Sequence, residues 1–150
     1  MTERIYKAIL LVDHGSRLDE ANEMLQEVAR LIREEDGGYH VAVAHMELAE
    51  PTIEQGLAGC VAAGALDITV HPYLLAPGRH ATGDIPRLVR KAIARHPDVT
   101  YRVTRPLGLH RLLARVVLER VREAEAAGET LSAGAGGRAS PKPGPDPSTL

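Results

Sequence analysis

Apolar residues recur along this chain with two periods that alternate. From Ile5 to Val12 the run is nearly continuous, and Ala8 to Val12 carry no charge. A strand buried on both faces reads this way, and parallel sheets supply such strands. From Asp19 to Glu35, Ala21, Met24, Leu25, Val28, Leu31 and Ile32 keep helical spacing, with Glu and Arg on the opposite face. Asp36-Gly37-Gly38 ends that helix. A second strand follows over His40 to about Met46. Thr52 and Gln55 are spaced as a capping box for a second helix that ends near Gly64. A third strand spans Asp67 to about Leu75. A third helix runs from near Asp84 to about Arg95, with Pro86 in its first turn. Val99 to Thr104 reads as a fourth strand. A fourth helix has Leu109, Leu112, Leu113, Val116, Val117 and Val121 on one stripe and ends before Gly128.

The β-α order, repeated four times, predicts an α/β protein. The expected architecture is a four-stranded parallel sheet of flavodoxin-like layout, with right-handed crossovers and helices on both faces. Asp13-His14-Gly15-Ser16 forms the turn out of strand one. Gly15 allows a tight bend there, and Ser16 or Asp19 is placed to cap the first helix. Gly56 and Gly59 lower the propensity of the second helix and are read as marking close approach to the sheet. Residues 1–131 form the folded module. From Ser132 to Leu150 the composition turns to Ser, Gly, Ala and Pro, which cannot bury enough apolar surface to order itself, so a disordered tail is expected.

Composition narrows the function classes. At 150 residues the chain is long enough to bury one core. Trp and Phe are absent, so the core rests on Leu, Val, Ile and Ala, and base stacking has no aromatic platform. The formal net charge of -2, with no basic block before the tail, argues against a nucleic-acid partner. No stretch approaches the ~20 apolar residues of a membrane span, and the start does not read as a signal peptide. A soluble cytoplasmic protein is expected. The single cysteine, Cys60, lies among small apolar residues and reads as a buried helix residue. One thiol cannot complete a disulfide, a Cys-rich zinc site or an iron-sulfur site within the chain.

In open parallel sheets, ligands bind outside the carboxyl ends of the strands. That rule gathers three loops. His14 follows strand one, Glu47 strand two and His80 strand three, each 33 residues from the next. Two imidazoles and a carboxylate suit a borderline divalent metal such as Fe, Co, Ni or Zn. They equally suit acid/base chemistry near neutral pH. Glu50 competes with Glu47, although its position also favours the start of helix two. His45 and His71 fall within strands and read as packed or solvated. His40, His96 and His110 look peripheral. Arg17, Arg79 and Arg105 follow strands one, three and four at the same edge and read as a cationic rim for an anionic ligand. Nucleophile-elbow, phosphate-loop, dinucleotide and H-E-x-x-H motifs are all missing from the sequence.

Five segments together are similar to the small sirohydrochlorin chelatases of the CbiX/SirB type. These are the single-module cobaltochelatases and ferrochelatases of the class II chelatase superfamily. The segments are L-L-V-D-H-G-S-R at Leu10 to Arg17, with Ala21-Asn22 after it; A-H-M-E-L-A-E-P-T-I at Ala44 to Ile53; P-Y-L-L-A-P-G-R-H at Pro72 to His80; G-D-I-P at Gly83 to Pro86; and R-P-L-G-L-H at Arg105 to His110. The resemblance implies that His14 and His80 are the metal-binding and catalytic histidines and Glu47 their acidic partner. It implies insertion of Co2+ or Fe2+ into sirohydrochlorin, in cobalamin or siroheme biosynthesis. The alternative on the same fold is a non-catalytic metal or tetrapyrrole carrier. Many members carry Gly where this chain has Asp13, while others, plant-type ferrochelatases among them, carry Asp. Plant-type enzymes bear an iron-sulfur cluster on C-terminal cysteines. Only Cys60 is present here, so no cluster and no cofactor beyond the metal substrate is expected. Larger relatives hold two such modules in tandem, and for a single module a homodimer is expected.

Overall fold

A computed structural model describes residues 6–79, 83–128 and 130–132. Within them the chain alternates strand and helix as β1 (Lys7–Asp13), α1 (Asp19–Glu35), β2 (His40–His45), α2 (Ile53–Ala62), β3 (Asp67–Pro72), α3 (Ile85–Ile93), β4 (Thr100–Val103) and α4 (Arg111–Ala127). The four strands are parallel and lie in the order β2-β1-β3-β4. The chain divides into two compact units, residues 1–109 with the whole sheet and residues 110–150 with α4.

The continuous apolar run of β1 is explained by its place between two neighbours, with both faces covered. Ala8, Leu10 and Val12 join Ile68, Val70, Leu57, Ile85 and Val89 in the larger core cluster, on the face covered by α2 and α3. Leu11 points the other way and packs with Leu25, Ala29, Val41 and Val43, the cluster under α1. Helices therefore cover both faces, and the parallel α/β expectation holds. The crossovers from β1 leave in opposite directions, toward β2 on one side and past β1 to β3 on the other. A crevice at the carboxyl ends follows from that reversal, and it falls at β1 and β3.

Local signals account for most helix ends. Thr52 accepts from the Gln55 N–H at 3.2 Å and Gln55 Oε1 accepts from the Thr52 N–H at 2.8 Å, completing the expected capping box. Neither Ser16 nor Asp19 caps α1. Its N-cap is Leu18, without a side-chain bond. Asn22 instead reaches back to both backbone groups of Ser16, at 3.0 and 2.8 Å. Gly128 closes α4 in the left-handed conformation at φ 67°. β3 ends at Pro72, short of the expected Leu75, because the carbonyls of Leu74 and Leu75 accept from Leu107 and Gly108 in the loop after β4.

The two glycines of α2 differ. A Cβ on Gly56 would lie 2.9 Å from Leu10 Cδ1 and 3.0 Å from Ala44 Cβ, so this turn does press against the sheet. Gly59 is exposed and has nothing within 4 Å of such a Cβ, which corrects the expectation for that position. Gly59→Ala should therefore stabilise the fold by about 0.5–1 kcal/mol through helix propensity. Gly56→Val should destabilise it by about 1–3 kcal/mol through overpacking. Denaturant midpoints of the two variants moving in opposite directions would confirm the distinction.

Candidate functional site

The carboxyl edge is built around the loop that leaves β1. The ladder between β1 and β2 ends at Asp13 opposite His45, but its hydrogen bonding continues into both loops. The Met46 N–H donates to the Asp13 carbonyl at 2.9 Å, and the Glu47 N–H donates to the His14 carbonyl at 3.1 Å. His14 and Glu47 are thus joined through their backbones, and both residues are exposed to solvent. Gly15 makes this approach possible. Its φ of +86° is left-handed, and a Cβ there would sit 1.8 Å from the Glu47 carbonyl oxygen. Leu48 follows at φ 67°, a conformation large side chains rarely adopt, so the turn after Glu47 is held by its surroundings rather than by residue preference.

The β3 side is tied to the same edge. The Tyr73 N–H donates to the Val12 carbonyl at 2.7 Å, which carries the loop after β3 alongside the end of β1. That loop leads toward His80, which lies outside the described residues. Arg79 is exposed at the last described position before it, and Arg17 and Arg105 are exposed after β1 and β4. Among the described residues none of these three arginines forms an ion pair. Arg17 also lines a hollow of about 340 Å3 between the start of α1 and the loop after β2, with Asn22, Gln26, His45 and Glu50. No group of three His, Cys, Asp or Glu side chains close enough to hold a metal occurs among the described residues. Of the expected trio, two members are brought together at the backbone and the third is not placed.

Reading the residues singly misses one pairing. His45, only 2% exposed, is the sole buried polar side chain among the described residues. Its Nδ1 lies 2.6 Å from Asp13 Oδ1. The same carboxylate oxygen accepts the Gly15 N–H at 2.9 Å. The signal was an Asp just past predicted strand one and a His near the end of predicted strand two, but only the strand register sets them side by side. His110, expected to be peripheral, is the N-cap of α4, its Nδ1 accepting from the Leu112 N–H at 3.1 Å.

Burial governs two other groups. His71 is packed in β3, with Nδ1 at 2.7 Å from Thr104 Oγ1 and its ring edge-on to Tyr73. Burial pushes its pKa below the ordinary value and favours the neutral ring. Cys60 is fully buried in α2, as expected, and burial pushes its thiol up to about 11. It is therefore protonated near neutral pH and a poor nucleophile or ligand.

An open parallel α/β sheet whose strand order reverses at β1 and β3 belongs to the class of folds that bind ligands at the carboxyl edge. The family follows from sequence. The model of the CbiX family matches residues 8–124, and the chain belongs to that family. The chain is 45% identical over 113 residues to the chloroplastic sirohydrochlorin ferrochelatase of Arabidopsis thaliana, covering 75% of this chain and 50% of that protein. It is 34% identical over 131 residues to the sirohydrochlorin cobaltochelatase of Methanosarcina acetivorans, covering 83% of this chain and 99% of that one. The crystal structure of the sirohydrochlorin chelatase SirB from Bacillus subtilis subspecies spizizenii in complex with cobalt superposes with a TM-score of 0.73. The two are 32% identical, and the match covers 78% of this chain and 50% of SirB. The match covers half or less of the Arabidopsis, Priestia and Bacillus relatives, and nearly the whole of those from Methanosarcina acetivorans and Methanococcoides burtonii.

Proposed function

We propose that this protein inserts a divalent metal, Co2+ or Fe2+, into sirohydrochlorin. The observation that carries this is the joining of His14 and Glu47 at the carboxyl edge through the 3.1 Å bond between their backbones, inside a segment matched by the CbiX family model. The names of the relatives supply the substrate and the two metals.

The chemistry follows from what each residue can do. Insertion strips water from the metal and removes the pyrrole N–H protons of the macrocycle. A neutral imidazole binds a borderline metal or accepts a proton, and His14 and His80 fill these roles. Glu47, exposed beside His14, passes protons to solvent. It is preferred over Glu50, which accepts from Gln55 Nε2 at 3.3 Å near the start of α2. The metal must also be handed on, so a few exchangeable ligands serve better than a closed thiolate cage. Arg17, Arg79 and Arg105 meet the carboxylates around the sirohydrochlorin rim.

A homodimer is proposed, two-fold dimers being the commonest closed assemblies of soluble chains. The reaction belongs to cobalamin or siroheme biosynthesis in the cytoplasm.

Metal-free sirohydrochlorin mixed with the protein and Co2+ or Fe2+ should show an accelerated change in its absorbance spectrum. Tight binding without acceleration would make the protein a carrier instead. Arg17→Ala and Arg105→Ala should each raise KM for sirohydrochlorin several-fold to about tenfold, with kcat largely kept. This is the expected loss of a charge-assisted contact made equally in ground and transition states. Unchanged KM in both would remove the rim from the binding site.

A further inference from the structure

We infer that the Asp13–His45 pair is the positioning element of this edge, a clamp that sets the backbone carrying His14 against the backbone carrying Glu47. The inference rests on the proposed roles of those two residues. Asp13 closes β1 and His45 closes β2, in register across the ladder. Their side chains meet at 2.6 Å. An ionised carboxylate only accepts, so His45 Nδ1 carries the proton and donates. The Asp13 oxygen that receives it also receives the Gly15 N–H at 2.9 Å. One carboxylate oxygen therefore grips the second strand and the loop of the first together.

The clamp is anchored on both sides. The His45 N–H donates to the Pro51 carbonyl at 2.8 Å, so the loop that holds Glu47 is closed behind the imidazole. His45 is 2% exposed, so packing as well as the Asp13 bond holds its ring. Just beyond the clamp come the two bonds that join the loops, Met46 N–H to Asp13 and Glu47 N–H to His14. Gly15 leaves no side chain between them. The clamp and these two bonds act on the same pair of loops. Misplacing reacting groups by about 1 Å can cost on the order of 100-fold in rate.

The test uses full-length protein and two independent readouts. His45→Phe keeps an aromatic ring, a somewhat larger one, and removes the donor, while His45→Asn restores an N–H donor close to the Nδ1 position. Expected for His45→Phe is a fall in kcat of about tenfold or more, with KM for sirohydrochlorin within about twofold, and partial recovery in His45→Asn. The same substitution in a His14→Ala background should cost almost nothing further, because residues acting as a unit are not additive. Amide hydrogen exchange at Met46 and Glu47 should speed up at least tenfold in His45→Phe, with the Leu11 and Val43 amides still protected. Should His45→Phe fail to fold, Asp13→Ala, which removes the accepting oxygen from a part-buried side chain, carries the same comparisons. Equal rate losses with and without His14, or unchanged exchange at Glu47, would overturn the clamp. If the wild-type protein inserts no metal, the functional reading fails, while the exchange result still decides the clamp.

Discussion

His14→Ala is expected to lower the rate of metal insertion by about 10²- to 10⁴-fold, the range associated with losing a positioned acid/base group. The fold should be unaffected. His14 is exposed in the loop after β1, outside both core clusters, and surface substitutions of this kind usually change stability by no more than about 0.5 kcal/mol. The loss should fall on kcat, since the role proposed for the residue is toward the metal and the leaving protons rather than the carboxylate rim. His80→Ala is expected to behave in the same way. Initial rates and thermal unfolding, measured side by side, check both halves of this expectation. Full activity in the double variant would remove both histidines from the site.

The second large effect is expected at Gly15. Gly15→Val should reduce kcat/KM by about 100-fold or more while leaving His14 and Glu47 chemically intact. Two constraints meet at this residue. The φ of +86° disfavours any L side chain, and most of all a β-branched one. The new Cβ would also begin 1.8 Å from the Glu47 carbonyl oxygen, whereas real contacts essentially never fall below 3.0 Å. A backbone carbonyl cannot rotate away as a side chain can, so the two loops must part. Strain of this kind costs about 1–3 kcal/mol of stability, and the larger penalty is functional. Ser16→Ala is the matched control, because among the described residues the Ser16 hydroxyl accepts only from the neighbouring Leu18 N–H, at 3.0 Å. Wild-type rates in Gly15→Val would show that the spacing of the two loops does not matter.

The parallel sheet was readable because periodicity and burial agree. β1 has no charge from Ala8 to Val12 because α1 covers one face and α2 and α3 the other. The first helix was bounded correctly at Asp19 and Glu35, where a long amphipathic pattern runs between turn residues. Short-range chemistry was readable too, as at Thr52 and Gln55. Contacts between distant segments were not. The extended residues Leu74 and Leu75 look like strand, yet their carbonyls bond the loop after β4. Gly56 and Gly59 look alike in sequence, and only the packing of α2 on Leu10 and Ala44 separates them. His45 read as one more strand histidine because its partner lies 32 residues earlier and is set by register. The His14 and Glu47 loops were anticipated at one edge through the strand-end rule. What the rule could not supply is the backbone bond that joins them.

The central claim is that this edge moves a metal into a tetrapyrrole. The most direct measurement is the anaerobic initial rate of insertion into sirohydrochlorin with Co2+, Fe2+ and Ni2+ in parallel, for the wild-type protein, His14→Ala and the metal alone. The account predicts a wild-type rate with Co2+ or Fe2+ far above that of the metal alone, and a His14→Ala rate that falls most of the way back to it. A wild-type rate equal to the metal-alone rate for all three ions would contradict it.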